Sequence, residues 1–239
     1  EKITTCQCVA PPQQRTREIQ NEQFLNALTS SPIARGNTII QHGSSVKTTS
    51  FAGEYDPTVS DLDVVLLTDR DELSFRQEAR TTLAALQQTY PNARVNVVVR
   101  KTQDFGSGQG VIIGPVLADG AALIDLDIAQ SGNVLLGTMP VAANAITITP
   151  DMASDFADAN LAAYFDSLSR PTEITEDPKQ AIVTRRAEVA KEALRVIAAE
   201  LIADHREVYH EIGVTTESDT VATLVTQSTA YTDDERALV

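Results

Sequence analysis

Asp61-Leu62-Asp63-Val64-Val65-Leu66-Leu67 is the stretch on which the fold turns. A short apolar run of branched side chains, opened by polar residues, is the pattern of a strand buried on both faces. Side chains alternate along a strand, so Asp61 and Asp63 share one side of the sheet. Two carboxylates a few ångströms apart repel each other. A hard divalent cation such as Mg²⁺ offsets that repulsion through oxygen ligands.

Upstream, Asn37–Gln41 is a short β-type run that ends at His42-Gly43-Ser44-Ser45. Glycine lets a backbone approach a ligand closely, and a Gly-Ser turn offers N–H groups and a hydroxyl to phosphate oxygens. A helix starting there would add its N-terminal dipole. Turn and carboxylates together suit a nucleoside triphosphate, with the loop on the terminal phosphates and Asp61 and Asp63 on two metal ions. Further upstream, Ile19, Phe24, Leu25 and Leu28 make a helical stripe between Arg15 and Leu28. Downstream, Asp69 to Gln88 reads as a helix with Leu73, Phe75, Ala79, Leu83 and Leu86 near one face, closed by Pro91.

Val95–Val99, Val111–Leu117, Ala121–Ile128 and Val134–Leu136 then read as four strands punctuated by Gly, Asn and Asp. Two more helices are expected. Asp151–Leu168 is acidic and amphipathic, and the second opens with Asp177 as N-cap and Pro178, stopping near Gly213. This order predicts an α/β (α+β) fold with a mixed sheet lobe over 1–150 and a C-terminal helical lobe over 151–239.

Composition sets the outer limits. The chain has 239 residues and a formal net charge of −14. An acidic surface repels phosphate backbones, which argues against a sequence-blind nucleic-acid coat protein. Hydrophobic residues at 42% and charged residues at 22% are too apolar a mixture for disorder. No apolar run approaches the roughly 18–20 residues of a membrane helix, so no membrane partner is expected. The chain opens on Glu1 without a signal peptide, as a processed form or fragment would. Cys6 and Cys8 lack the second ligand pair of a structural zinc site, and two plain thiols fit a reducing, cytoplasmic setting.

Gly43-Ser44 followed by Ser60-Asp61-Leu62-Asp63-Val64-Val65 resembles the signature of the DNA-polymerase-β-like nucleotidyltransferase superfamily. The order of the following runs is similar to the oligoadenylate synthase and cyclic-nucleotide synthase branch. The stretch Phe51–Pro57 stands as an insertion relative to that pattern, and the similarity covers roughly residues 37–130. The resemblance implies a third carboxylate on a neighbouring strand, which Leu126-Asp127-Ile128 matches best, with Asp125 as the other candidate. It implies two Mg²⁺ or Mn²⁺ ions on Asp61, Asp63 and Asp127, and nucleotide contacts from Gly43, Ser44, Ser45 and Lys47. The helical lobe of such enzymes supplies basic side chains to the triphosphate, here Lys191 with Arg185 and Arg186.

The activity so implied is transfer of a nucleoside monophosphate from an NTP to a hydroxyl, with an oligo- or cyclic-nucleotide product. ATP is one such donor, the acceptor a nucleotide or RNA end, and the setting signalling or antiviral defence. Two alternatives stay open: modification of tRNA, a protein (as by a toxin) or a small molecule, and nucleotide binding without catalysis. His42 stands beside the turn as a strand-end packing residue or a phosphate or base contact. Gly106-Ser107-Gly108-Gln109-Gly110 precedes a strand and reads as a hairpin loop. Asp204, His205, Glu207, His210 and Glu211 lack a metal-ligand spacing and read as a solvated helix end.

Overall fold

The computed structural model describes residues 12–46, 61–107, 110–114, 122–149, 151–156 and 158–159. A five-stranded mixed sheet carries helices on both faces. Its strands are β1 (Thr38–His42), β2 (Leu62–Thr68), β3 (Val95–Lys101), β4 (Val111–Ile113) and β5 (Asn133–Leu136), in the spatial order β4-β3-β2-β1-β5. Three neighbouring pairs are antiparallel, and β2 with β3 is parallel. A parallel pair needs a crossover, supplied here by helix α2 (Leu73–Thr89). β2 lies in the middle of the sheet and is buried along nearly its whole length, as its apolar run requires.

The two faces are covered differently. On one, Ile39, Val64, Leu66 and Val99 meet Phe24 and Leu28 of helix α1 (Pro12–Thr29) and Phe75 and Ala79 of α2. Buried positions Asn21, Phe24 and Leu28 of α1 recur at helical spacing and face the sheet. The chain then turns into β1 through Pro32–Ala34, where Ser31 Oγ donates to Leu28 O at 2.6 Å and Asn37 Nδ2 to Ile33 O at 2.6 Å.

The opposite face, bearing Ile40, Val65 and Leu67, packs against helix α3 (Ala122–Ser131) through Leu123 and Leu126. This helix corrects the expected strand at Ala121–Ile128. A run that is apolar almost all round satisfies either period when it is fully buried. Here helix length and a stop at Gly132, whose N–H donates to Ile128 O at 2.8 Å, decide in favour of the helix. Asp125 and Asp127 therefore do not share a strand face, since residues two apart on a helix point about 200° apart.

The expected helices at 15–28 and 69–88 and the strands at 37–41, 61–67, 95–99 and 134–136 appear within a few residues of their predicted bounds. β4 covers the first part of the expected Val111–Leu117. β3 and β4 pair antiparallel, as the two arms of the expected hairpin would; of its 106–110 loop, residues 106, 107 and 110 are described. Residues 151–156 and 158–159 are helical, as the acidic segment predicts. Cys6, Cys8, Lys47, Arg185, Arg186, Lys191, the remainder of 151–168 and the 178–212 segment lie outside the described residues.

Candidate functional site

The antiparallel register of β1 and β2 sets His42 directly opposite Asp63. Gly43 follows with φ +75, in the left-handed region that favours glycine. A Cβ built on Gly43 would come within 2.8 Å of Asp63 Oδ2 and 3.4 Å of its Cβ. The turn therefore rests against the Asp63 carboxylate, and only glycine lets it do so. Residues distant in sequence, Gly43 and Asp63, meet at one end of the sheet.

Gly43–Val46 continues as a 3-10 turn. Ser45 Oγ donates to His42 O at 3.2 Å and accepts from Gln41 Nε2 at 3.0 Å, so this hydroxyl holds the turn together. On the other side of Asp63, β3 places Asn96 in register, and Asn96 Nδ2 donates to Asp63 Oδ1 at 3.2 Å. Asp63 is thus gripped by Asn96 and walled by Gly43, and it is half-buried. Asp61 is exposed at the entry to β2, where Leu62 N–H donates to Arg94 O at 2.8 Å.

Farther along the same face, Arg100 of β3 and Asp125 of α3 form an ion pair with side-chain exposures of 2% and 0%. Arg100 Nη1 donates to Asp125 Oδ1, and Nη2 donates to Oδ2 at 3.0 Å and to Asp104 O at 3.3 Å. Gly106 N–H adds a 2.9 Å bond to Asp125 Oδ2, and the guanidinium carbon lies 5.9 Å from the Phe105 ring centroid. A buried pair holds when its geometry is good and further hydrogen bonds serve the remaining oxygens, as they do here. Asp125 is therefore committed to tying α3 to β3 and the 102–106 turn.

Asp127 is also buried, at 5% exposure, and its backbone carbonyl accepts from Ser131 Oγ at 2.6 Å. Among the described residues, no three carboxylate, imidazole or thiol groups converge as ligands of one metal ion. The structure thus joins Gly43 to Asp63 but does not gather Asp61, Asp63 and Asp127 around one point. Burial lowers the His42 pKa, outweighing the upward pull of the Asp63 and Asp125 charges, while Arg100 pushes it down further. Burial thus favours the neutral imidazole.

Asn96 and Arg100 are the contributors that the sequence did not single out. Arg100, directly after the Val97–Val99 run, was the readable signal: a cation on a central strand needs a buried anion. For Asn96 nothing short of the strand register would have served.

No protein-family model matches the chain, and no curated protein is significantly similar to it. Among the described residues, no helix is long and apolar enough to cross a membrane.

Proposed function

We propose that the chain is a Mg²⁺-dependent nucleotidyltransferase of the polymerase-β-like kind, moving a nucleoside monophosphate from an NTP to a hydroxyl acceptor in a cytoplasmic setting. The observation that carries the reading is the packing of Gly43 on Asp63, which sets a Gly-Ser turn beside the Asp63 carboxylate. Asp61 and Asp63, oxygen ligands at one strand end, suit a hard divalent cation. When bound, Mg²⁺ supplies the positive charge that offsets the two carboxylates and the triphosphate.

In this reading the backbone of Gly43-Ser44 cradles the triphosphate, and Asn96 and Gly43 fix the orientation of the Asp63 carboxylate. The acceptor oxygen bonds to the α-phosphorus as the bond to pyrophosphate breaks, and the hydroxyl proton passes to a carboxylate, Asp127. Asp127 lies buried on α3. The C-terminal helical lobe, with Lys191, completes the triphosphate site, and the product is an oligo- or cyclic nucleotide.

A second reading, nucleotide binding without transfer, is favoured by two observations. The position flanking Asp63 on β3 is an amide, Asn96, and Asp125 is neutralised by Arg100. Labelled ATP, GTP, CTP and UTP with Mg²⁺ or Mn²⁺ separate the two. Pyrophosphate release with an all-nucleotide product, absent in Asp61→Ala/Asp63→Ala, supports transfer. Binding without turnover, with tRNA and protein acceptors also supplied, supports the second reading, and a labelled tRNA or protein redirects the first.

A further inference from the structure

The two ends of β1 carry different features. The strand runs from Thr38 to His42, and His42 leads into the Gly43 turn at one end. At the Thr38 end lies a cavity of about 530 Å³, lined by the close of α1, the 34–37 turn and the segment from Leu136 to Thr138. That volume falls in the range of roughly 300–1,000 Å³ typical of small-molecule sites.

Its walls are fixed by backbone bonds. Ala34–Asn37 is a type II turn, with Arg35 at φ −65 and ψ 122, Gly36 at φ +73, and Asn37 N–H donating to Ala34 O at 3.1 Å. Arg35 N–H on Pro32 O, Ala34 N–H on Ser31 O and Ser31 Oγ on Leu28 O tie this turn back to the end of α1. Across the cavity, Thr38 Oγ1 donates to Thr138 O at 3.1 Å. The Arg35 side chain takes no part in this bonding. It is exposed, and among the described residues its guanidinium enters no ion pair.

Arg35 is also the one charged side chain among the described residues that line the cavity. Asn37 is only 7% exposed, and its Nδ2 is spent on Ile33 O, which leaves its Oδ1 as an acceptor. Thr29 and Ser30 bring in the closing turn of α1, an 18-residue helix whose carbonyl end carries partial negative charge. Ala34 and Leu136 add apolar surface. A guanidinium therefore stands beside a carbonyl-rich helix end, which makes the lining bipolar rather than uniformly positive.

We infer that this cavity binds a free α-amino acid with an aliphatic side chain. The ligand carboxylate sits on the Arg35 fork, whose planar donors match its two oxygens through strong charge-assisted bonds. The ammonium faces Asn37 Oδ1 and the end of α1, and the side chain lies on Ala34 and Leu136. A phosphate monoester is disfavoured, because it sets a dianion beside the negative helix end with a single guanidinium to offset it. The proposal stands apart from the transferase reading, since it uses neither Gly43-Ser44 nor Asp61 nor Asp63.

The test is calorimetric titration of the full chain, free of metal and nucleotide, with L-leucine, isoamylamine and isocaproate. The amine lacks the carboxylate and the acid lacks the ammonium, and leucine is expected to bind at least about tenfold more tightly than either. Backbone amide NMR shifts should move at 35–38 and 136–138 and stay in place at 41–46. Arg35→Gln removes the advantage of leucine over the amine with an unchanged circular dichroism spectrum, since the Arg35 backbone and not its side chain holds the turn. Arg35→Lys retains part of that advantage. Isocaproate binding as tightly as leucine overturns the proposal by removing the ammonium contact, and leucine binding that survives Arg35→Gln overturns it by removing the carboxylate contact. Absence of any leucine-dependent heat or shift also overturns it, as does tighter Arg35-dependent binding of inorganic phosphate.

Discussion

The two faces of the sheet are made from the same strands and do opposite work. Toward α1 and α2, β1, β2 and β3 present Ile39, Val64, Leu66 and Val99, and the layer they bury is aliphatic and aromatic. Toward α3 the same strands present His42, Asp63, Asn96 and Arg100 as well as Ile40 and Val65. Alternation by one residue assigns each strand position to one layer or the other. An apolar layer tolerates volume errors at a graded cost, whereas a charged layer holds only while every partner is present. The buried ion pair lies on the α3 face, and the opposite face packs mainly aliphatic and aromatic side chains.

The sharpest way to break this contrast is Asp125→Ala. It leaves Arg100 buried without its carboxylate and is expected to cost about 3–5 kcal/mol in a denaturant titration. Arg100→Met with Asp125→Leu recovers most of that loss. A single change costing no more than a surface substitution would show that the α3 face is not held by charge. Next comes Leu66→Ala on the apolar face, expected to cost about 3 kcal/mol, with no partner substitution able to recover it by charge.

Gly43→Ala sharpens the comparison at the site itself. The left-handed backbone costs about 1–2 kcal/mol for a residue with a Cβ, and that carbon meets Asp63 Oδ2. Nucleotide binding measured by calorimetry should fall by more than this stability change alone explains. Smallest is the effect at Asp71, which bonds Lys101 Nζ at 2.6 Å and also pairs with Arg76, both on the protein surface. The hydrogen bond from Lys101, followed by that from Arg76, holds the Asp71 carboxyl below its ordinary range. A depressed carboxyl stabilises the fold above its unfolded pKa and loses that contribution as pH falls. Melting temperatures of the parent chain and Asp71→Asn should therefore differ at pH 6 and begin to converge only as pH falls below about 4 and through the depressed Asp71 pKa, and salt should narrow the gap.

Local pattern made most of the sheet readable. The Val64–Leu67 run, the Leu73–Leu86 stripe and the Val95–Val99 run each have one period and one plausible environment, and the structure follows them. The Gly43 and Asp63 partnership was readable because the residue types at the two strand ends spoke for it, although the spacer between them is long. Ala121–Ile128 was not, because burial on all sides erases the difference between the two periods. Its Asp125 read as a candidate ligand when it is the buried partner of Arg100, a pairing that depends on tertiary placement of α3 on β3.

The sheet is also ordered in time by its connectivity. α1, β1, β2, α2 and β3 follow one another closely in the chain and between them supply nearly all of the aliphatic and aromatic layer. β5, by contrast, pairs with β1 across a long excursion, and Thr38 Oγ1 donates to Thr138 O, 100 residues away. Short loops close at lower entropic cost than long ones, so contacts within the first group are the cheaper to form. A ribosome that has released the chain through Lys101 has delivered most of the supporting layer and none of α3. Arg100 emerges before the helix whose Asp125 pairs with it, and the α3 side of the sheet is the last to be enclosed.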